Sequence, residues 1–216
     1  MSAWPVQKLS ELGDVVRVAR GFPTTRTAPD GDLPVWSVAS LIGDREARAF
    51  ANRDDVGESG ALVGEPGDVL VAIEGGSVGD AFLVTEGVPA FVPSQQAATI
   101  RVVKMATLLP AYLAAWLASP PGRQELLRLV RGAGIQRIAL ADLGALPVPV
   151  APQDTQFAIG RQLVQLNDAI TSHRRAADCV AELREVELTR AFRDQPGVGP
   201  LSGEKTPIGR SGKRGR

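Results

Sequence analysis

Gly67-Asp68-Val69-Leu70-Val71-Ala72-Ile73 opens on a turn dipeptide and runs straight into five consecutive apolar residues. An apolar run of strand length, bounded by turn residues, reads as a strand covered on both faces. The glycine-rich turn Glu74-Gly75-Gly76-Ser77-Val78-Gly79-Asp80 follows, and Ala81-Phe82-Leu83-Val84 leaves it as the next strand, so the pair predicts a hairpin. Working outward, Ala98-Thr99-Ile100-Arg101-Val102-Val103 alternates and predicts a strand. Upstream, Asp14-Val15-Val16-Arg17-Val18-Ala19 is a strand candidate after the short segment Leu9-Ser10-Glu11-Leu12-Gly13, and Pro34-Val35-Trp36-Ser37-Val38 is β-prone. Positions 21–33 read as a polar loop, and positions 42–61 as charged and irregular.

Two helices are expected after the strands. Positions 110–118 are apolar nearly all round, which predicts burial. Ser119-Pro120-Pro121 is a helix start, with Ser at the N-cap and Pro in the first turn. That helix is expected to turn Leu126, Leu127, Leu129 and Val130 inward and its arginines outward, and to end at Gly132 and Gly134. The loop 132–138 then leads to the extended, proline-rich Leu146-Pro147-Val148-Pro149-Val150. Positions 1–150 thus form one mixed α/β domain with a twisted sheet.

From Gln153 the texture changes. Residues 153–192 contain no Pro and a single Gly, Gly160. Apolar or small residues recur at 4,3 spacing: Ile159, Leu163, Leu166, Ile170, His173, Ala177 and Val180, then Leu183 after a slip in register. This is a coiled-coil seam on a helix roughly 60 Å long, far longer than a domain of this size needs for itself. Residues 151–194 are therefore read as a spacer and dimerisation helix, giving an α+β chain that ends its folded part in one long coiled-coil-forming helix. Positions 195–216, rich in Gly, Pro, Ser and basic residues, are read as a disordered basic tail.

With 216 residues, 44% of them hydrophobic and 22% charged, the chain suits one or two globular domains. One cysteine (Cys179) and one histidine (His173) exclude an internal disulfide framework and a Cys/His zinc site. The single His, placed in the helix seam, also excludes a Ser/His/Asp arrangement. No Gly-Lys-Ser/Thr follows a strand, and the 74–79 glycines lead into a strand instead of a helix, so neither phosphate-loop nor dinucleotide readings survive. A methyltransferase would need a glycine-rich cofactor turn and an Asn/Asp-Pro-Pro-aromatic run, and neither is present. The Asp54-Asp55…Glu58 cluster reads as a solvated loop before a cation site. No catalytic residue, metal site or cofactor is predicted. The nearly uncharged stretch 106–119 is too short to span a bilayer and carries Pro110. No basic start precedes an apolar run at the N-terminus, so a cytoplasmic location is expected.

The net charge is zero, from 24 basic and 24 acidic residues. Five basic residues and Glu204 lie in 195–216, which leaves 19 basic and 23 acidic residues on positions 1–194, a net of −4. A nucleic-acid contact on such a body must come from a local basic face, for which Arg123, Arg128, Arg131 and Arg137 are one source.

The order of these pieces resembles one half of the specificity subunit of type I restriction–modification systems. The likeness is carried by Trp4-Pro5…Leu9…Leu12-Gly13-Asp14-Val15…Gly21, by Leu33-Pro34-Val35 and by Gly67-Asp68-Val69-Leu70-Val71…Gly76…Gly79. It continues through Gly134-Ile135-Gln136-Arg137-Ile138…Leu143…Leu146-Pro147-Val148-Pro149 and Pro152-Gln153-Asp154-Thr155-Gln156, where Thr155 stands in place of the usual acid. The resemblance implies a target-recognition domain contacting one half of a bipartite double-stranded DNA site. It also implies a helix that docks methyltransferase subunits and, in a restricting or other phage-defence system, a restriction subunit. Those subunits carry two such domains in tandem, and this chain has no internal repeat. The resemblance therefore implies a half-subunit, and the unpaired seam gives it a reason to homodimerise on a palindromic, interrupted site.

Base readout needs side chains with paired donors and acceptors, chiefly Arg, Asn and Gln, and phosphate contacts need cations, hydroxyls and backbone amides near glycines. Loops that offer these supply Arg20, Thr24, Thr25, Arg26, Ser77, Gln95, Gln96, Gln136 and Arg137 as DNA-binding candidates. A protein-interaction adaptor, pairing through the C-terminal helix, is the competing reading and is favoured by the acidic body. A concave electropositive face would separate the two.

Overall fold

The apolar run at 69–73 is buried along its whole length, and the first unit of the chain is layered around it. The computed structural model describes residues 4–42, 47 and 49–193; the tail expected to be disordered, 195–216, lies outside them. The elements in chain order are β1 (Val6–Lys8), β2 (Val16–Arg20), β3 (Leu33–Trp36), α1 (Val38–Ile42), β4 (Phe50–Ala51), α2 (Arg53–Ser59), β5 (Val69–Ala72), β6 (Ala81–Leu83), β7 (Val92–Pro93), β8 (Ala97–Val102), α3 (Pro110–Ala118), α4 (Pro120–Arg128), α5 (Leu140–Leu143), β9 (Pro147–Pro149) and α6 (Gln153–Arg193).

The central sheet has the order β2-β8-β5-β6 and is antiparallel throughout. β5 and β6 form the expected hairpin, with Val69 opposite Leu83 and Val71 opposite Ala81. Because side chains alternate along a strand, β5 feeds two cores. Val69, Val71 and Ile73 join Ile100, Leu113, Leu117 and Leu126 on the face covered by α3 and α4. Leu70 and Ala72 join Trp36, Leu41, Val84 and Phe91 on the other, where the Trp36 and Phe91 rings stack with centroids 5.1 Å apart. A three-stranded sheet, β4-β3-β7, contains a parallel β3–β7 pair.

Asp68, fully buried beside the start of β5, accepts from Arg101 Nε at 2.7 Å and Nη2 at 2.8 Å, and from the Glu65 amide at 2.9 Å. The bidentate bond to Asp68 raises the Arg101 pKa above its ordinary value, so the guanidinium stays charged and keeps its charge-assisted bonds. Gly67 has φ 93°, a value that favours glycine, and so the Gly67-Asp68 pair reads as one structural device.

Several sequence expectations are corrected. Positions 50–59 are not irregular: Phe50–Ala51 pairs with β3, and Arg53–Ser59 is a helix that ends on Gly60 at φ 74°. Its single buried residue, Val56, leaves too little apolar surface for a readable period. Ser119 Oγ does cap α4, accepting from the Gly122 amide, but the helix stops at Arg128 and Leu127 is exposed. A helix this short buries one ridge, so Leu126 is covered while Leu129 and Val130 are only partly buried. The polar loop at 21–33 contains a 3-10 turn at Thr24–Arg26. The proline-rich passage becomes β9 and pairs with β1, a two-stranded arrangement in which proline is tolerated. The Tyr112 hydroxyl and the Trp116 indole donate to the β9 carbonyls of Pro149 and Pro147 at 2.7 and 3.2 Å.

Two compact units divide between Asn167 and Asp168. In the first, α6 begins by docking onto α3. Gln156 is fully buried and uses its whole amide: it accepts from the Leu109 amide at 2.8 Å and donates to the Thr107 and Ala151 carbonyls at 3.0 and 2.8 Å. Gly160 lies so near α3 that an added Cβ would stand 2.9 Å from Ala111 Cβ. Ile159, Leu163 and Val164 pack against the same core. In the second unit, α6 continues to Arg193 with every described side chain exposed. No helix among the described residues is long and apolar enough to cross a membrane.

Replacing Gln156 by Leu leaves one donor and two acceptors of the buried backbone without that partner, so the expected loss is about 2–4 kcal/mol of unfolding free energy. Urea denaturation checks this as a lower midpoint at unchanged slope.

Candidate nucleic-acid interface

Three loops meet at the end of the central sheet where β2 finishes, β8 begins and β5 runs out: Arg20 stands opposite Ala98, and Ala72 opposite Ala97. Backbone hydrogen bonds stitch them together. The Ile73 and Glu74 amides both donate to the Gln96 carbonyl, at 2.8 and 3.2 Å. The Gly75 amide donates to the Gln136 carbonyl at 3.1 Å, and the Ile138 amide to the Ile73 carbonyl at 2.8 Å. Each loop is held in turn by its own tight geometry. Ala97 N–H closes onto Ser94 O at 2.9 Å, and Arg131 and Arg137 exchange both backbone bonds at 2.8 and 2.9 Å.

The structure thus brings together Arg20, Ser77, Gln95, Gln96, Gln136 and Arg137 from segments far apart in sequence. Arg20 Nε donates to the Gln95 carbonyl at 3.2 Å, and Arg20 Nη2 reaches Glu74 Oε2 at 3.3 Å. Arg137 Nη2 stands 3.9 Å from the other oxygen of the same carboxylate. The two guanidinium-bearing side chains are 53% and 57% exposed and the carboxylate-bearing one 18%, so the acid lies beneath two outward cations. Beside them Ser77 and Gln96 line a cleft with Ser37, Val38, Gly75 and Gly76. Ile135 is an exposed apolar residue next to Gln136 in the 131–137 loop.

Thr24, Thr25 and Arg26 sit on a separate helical turn. Arg26 is engaged with α2, its Nη2 lying 3.0 Å from Glu58 Oε2 and 3.6 Å from Asp55 Oδ1. The acidic cluster therefore has a cationic partner, and among the described residues no group of three potential metal ligands assembles. The expected basic segment is likewise compensated: Arg123 pairs with Asp80 at 2.5 Å and Arg128 with Glu125. Arg131 Nη1 caps the end of α4, donating to Arg128 O and Val130 O at 2.9 and 3.1 Å.

Glu74 is not among the residues expected from the sequence, because a carboxylate does not match the donors that base and phosphate contacts require. Its place between the buried run and Gly75-Gly76 was the available signal. Along the helix seam, Ile159 and Leu163 are partly buried in the first unit, whereas Leu166, Ile170, Val180 and Leu183 are exposed large apolar residues and His173 and Ala177 are exposed between them.

A protein family described as the type I restriction modification DNA specificity domain matches residues 1–177. Among solved structures, the S subunit of a type I restriction–modification system from M. genitalium is similar at TM-score 0.63 and 16% identity, covering 88% of this chain and 46% of that one. A chain from a study of complex assembly and conformational transition of the type I R-M system matches at TM-score 0.54 and 21% identity, covering 87% of this chain and 44% of its own. The HsdS subunit of Thermoanaerobacter tengcongensis matches at TM-score 0.52 and 22% identity, covering 90% and 46%. The chain spans less than half the length of each. At these identities the likeness concerns the fold. No curated protein matches the chain.

Gly132 holds φ 99°, and a Cβ there would stand 2.5 Å from the Ile135 carbonyl oxygen. Gly132→Val is expected to open the 131–137 loop, raising hydrogen exchange at the Arg137 amide about tenfold, as a local cost of about 1–2 kcal/mol implies. Mass-spectrometric exchange on the folded variant checks it.

Proposed function

The chain belongs to the type I restriction modification DNA specificity domain family, and from that premise we propose that it reads one half of a bipartite double-stranded DNA site for partner methyltransferase subunits, carrying out no catalytic step itself. The observation that carries the reading is the convergence of Arg20, Gln95, Gln96, Ser77, Gln136 and Arg137 on one end of the central sheet. Arginine and glutamine are the side chains that form bidentate bonds to guanine and adenine edges, and hydroxyls and glycine-adjacent amides suit phosphate oxygens. Thr24, Thr25 and Arg26 extend the same reading as flanking phosphate contacts. The domain limits proposed are 1–150 for recognition and 151–194 for the spacer helix, with 195–216 as a basic extension adding sequence-blind affinity.

The exposed seam from Leu166 through Ile170, His173, Ala177 and Val180 to Leu183 supports homodimerisation of the helix, in the manner of a coiled coil. Two copies would present two recognition domains and so favour a palindromic, interrupted site. The same exposed seam favours the second reading, a protein-interaction adaptor. The two part company on DNA: an adaptor has no sequence-selective affinity for duplexes.

Selection of duplexes from a random pool by the full chain with its methyltransferase subunits, followed by binding isotherms, tests the proposal. Gln136→Ala or Arg137→Ala is expected to weaken binding of the selected duplex by about 1–3 kcal/mol; isotherms that neither substitution moves would remove this loop from the interface. For the seam, light scattering on the full chain is expected to give a dimer, and Leu166→Asp with Ile170→Asp a monomer of unchanged melting behaviour. A wild-type monomer without partners overturns the dimer.

A further inference from the structure

We propose that Glu74 is a specificity-determining residue of this interface, acting as an internal counter-ion that competes with DNA phosphate for Arg20 and Arg137. The inference rests on the DNA-reading function proposed above and adds how indiscriminate binding is held down. One carboxylate serves both cations, Oε2 facing Arg20 at 3.3 Å and Oε1 facing Arg137 at 3.9 Å. Its backbone is fixed on both sides, by the Glu74 amide bonded to Gln96 O and by a β-bridge to Arg137. The backbone that carries the carboxylate is therefore anchored in the floor of the site, and the Glu74 side chain is 18% exposed against 53% and 57% for the two arginines.

Two consequences follow from the charges. Any phosphate approaching Arg20 or Arg137 must compete with a carboxylate already beside the cation and must itself approach that negative charge, so a duplex offering only backbone contacts gains little. A duplex of the right sequence adds base contacts through Gln95, Gln96 and Gln136, and these supply the free energy needed to draw the arginines from Glu74. Glu74 thus lowers affinity for all DNA but lowers it most for DNA that lacks those base contacts, which is discrimination by a repulsive element.

The test is Glu74→Gln in the full chain, compared with wild type on the selected duplex and on a short duplex of random sequence across a salt series. Affinity for the random duplex is expected to rise about five- to thirty-fold at low salt, through release of two exposed ion pairs and loss of one like charge. The slope of log K against log salt on that duplex should steepen by about 1–2, the signature of two further phosphate contacts. Affinity for the selected duplex should rise less, so the ratio of the two falls. Adding Arg20→Gln and Arg137→Gln to Glu74→Gln should abolish the gain, an outcome that general loosening of the loop would not produce. If Glu74→Gln keeps its fold by melting curve but binds random duplex no better than wild type, the counter-ion role is overturned. If it weakens only the selected duplex, Glu74 is itself a base contact, and the proposal is equally overturned. Absence of any duplex selection by wild type removes the underlying DNA-reading function, a result distinguishable from both.

Discussion

A strand buried on both faces constrains everything near it, because neither face can be left to water. β5 meets that constraint with α3 and α4 on the side of Val69 and Val71 and with Trp36, Phe91 and α1 on the side of Leu70 and Ala72. Because alternate β5 side chains enter both layers, a one-residue slip would exchange the two sets, which makes the β5 register a property of the whole unit. One end of the strand is set by the buried Asp68 and its half-buried partner Arg101, held by three hydrogen bonds to Asp68 and one from Arg101 to the Val63 carbonyl. The other end delivers the chain into Glu74-Gly75-Gly76-Ser77. A loop leaving so fixed a strand has little freedom of position, and the 94–97 and 131–138 loops bond to its backbone. The candidate interface is therefore firmly placed by the scaffold beneath it, the usual situation of loops that carry recognition.

The charge count of the body and the basic character expected of a DNA-reading face are reconciled by pairing. Arg20, Arg26, Arg123, Arg128 and Arg137 each stand beside a carboxylate. Exposed pairs of this kind contribute little to stability. A mildly acidic body and an arginine-bearing loop cluster coexist because Glu74 stands between Arg20 and Arg137, while the other arginines pair elsewhere.

The strands with strong patterns were legible from the sequence. The apolar run at 69–73, the hairpin after it and the alternating 98–103 segment all report burial directly, and the long helix shows itself through forty residues without proline. Segments that bury one or two side chains were not legible: α2 buries Val56 alone, and β7 consists of Val92 and Pro93. Their existence depends on partners distant in sequence, β4 and β7 both pairing with β3. For the interface, residue types pointed to Arg20, Ser77, Gln96 and Gln136, since glycine-rich and amide-rich loops can be read locally. Their convergence could not be read, because it is created by bonds such as Arg20 to Glu74 across 54 positions.

The helix α6 shows one amphipathic pattern put to two uses. Through its first turns the stripe faces its own domain, fastened by a buried amide at Gln156 and allowed to approach closely by Gly160. Those two residues explain why the apolar positions Ile159 and Leu163 are spent within the unit, although they belong to the same 4,3 series as Leu166 and Ile170. The periodicity alone therefore overstates the seam left for a partner, which starts at Leu166. A buried amide is a directional fastening, whereas an apolar stripe is not. Gln156 consequently fixes which face of the first turns of the helix meets the domain.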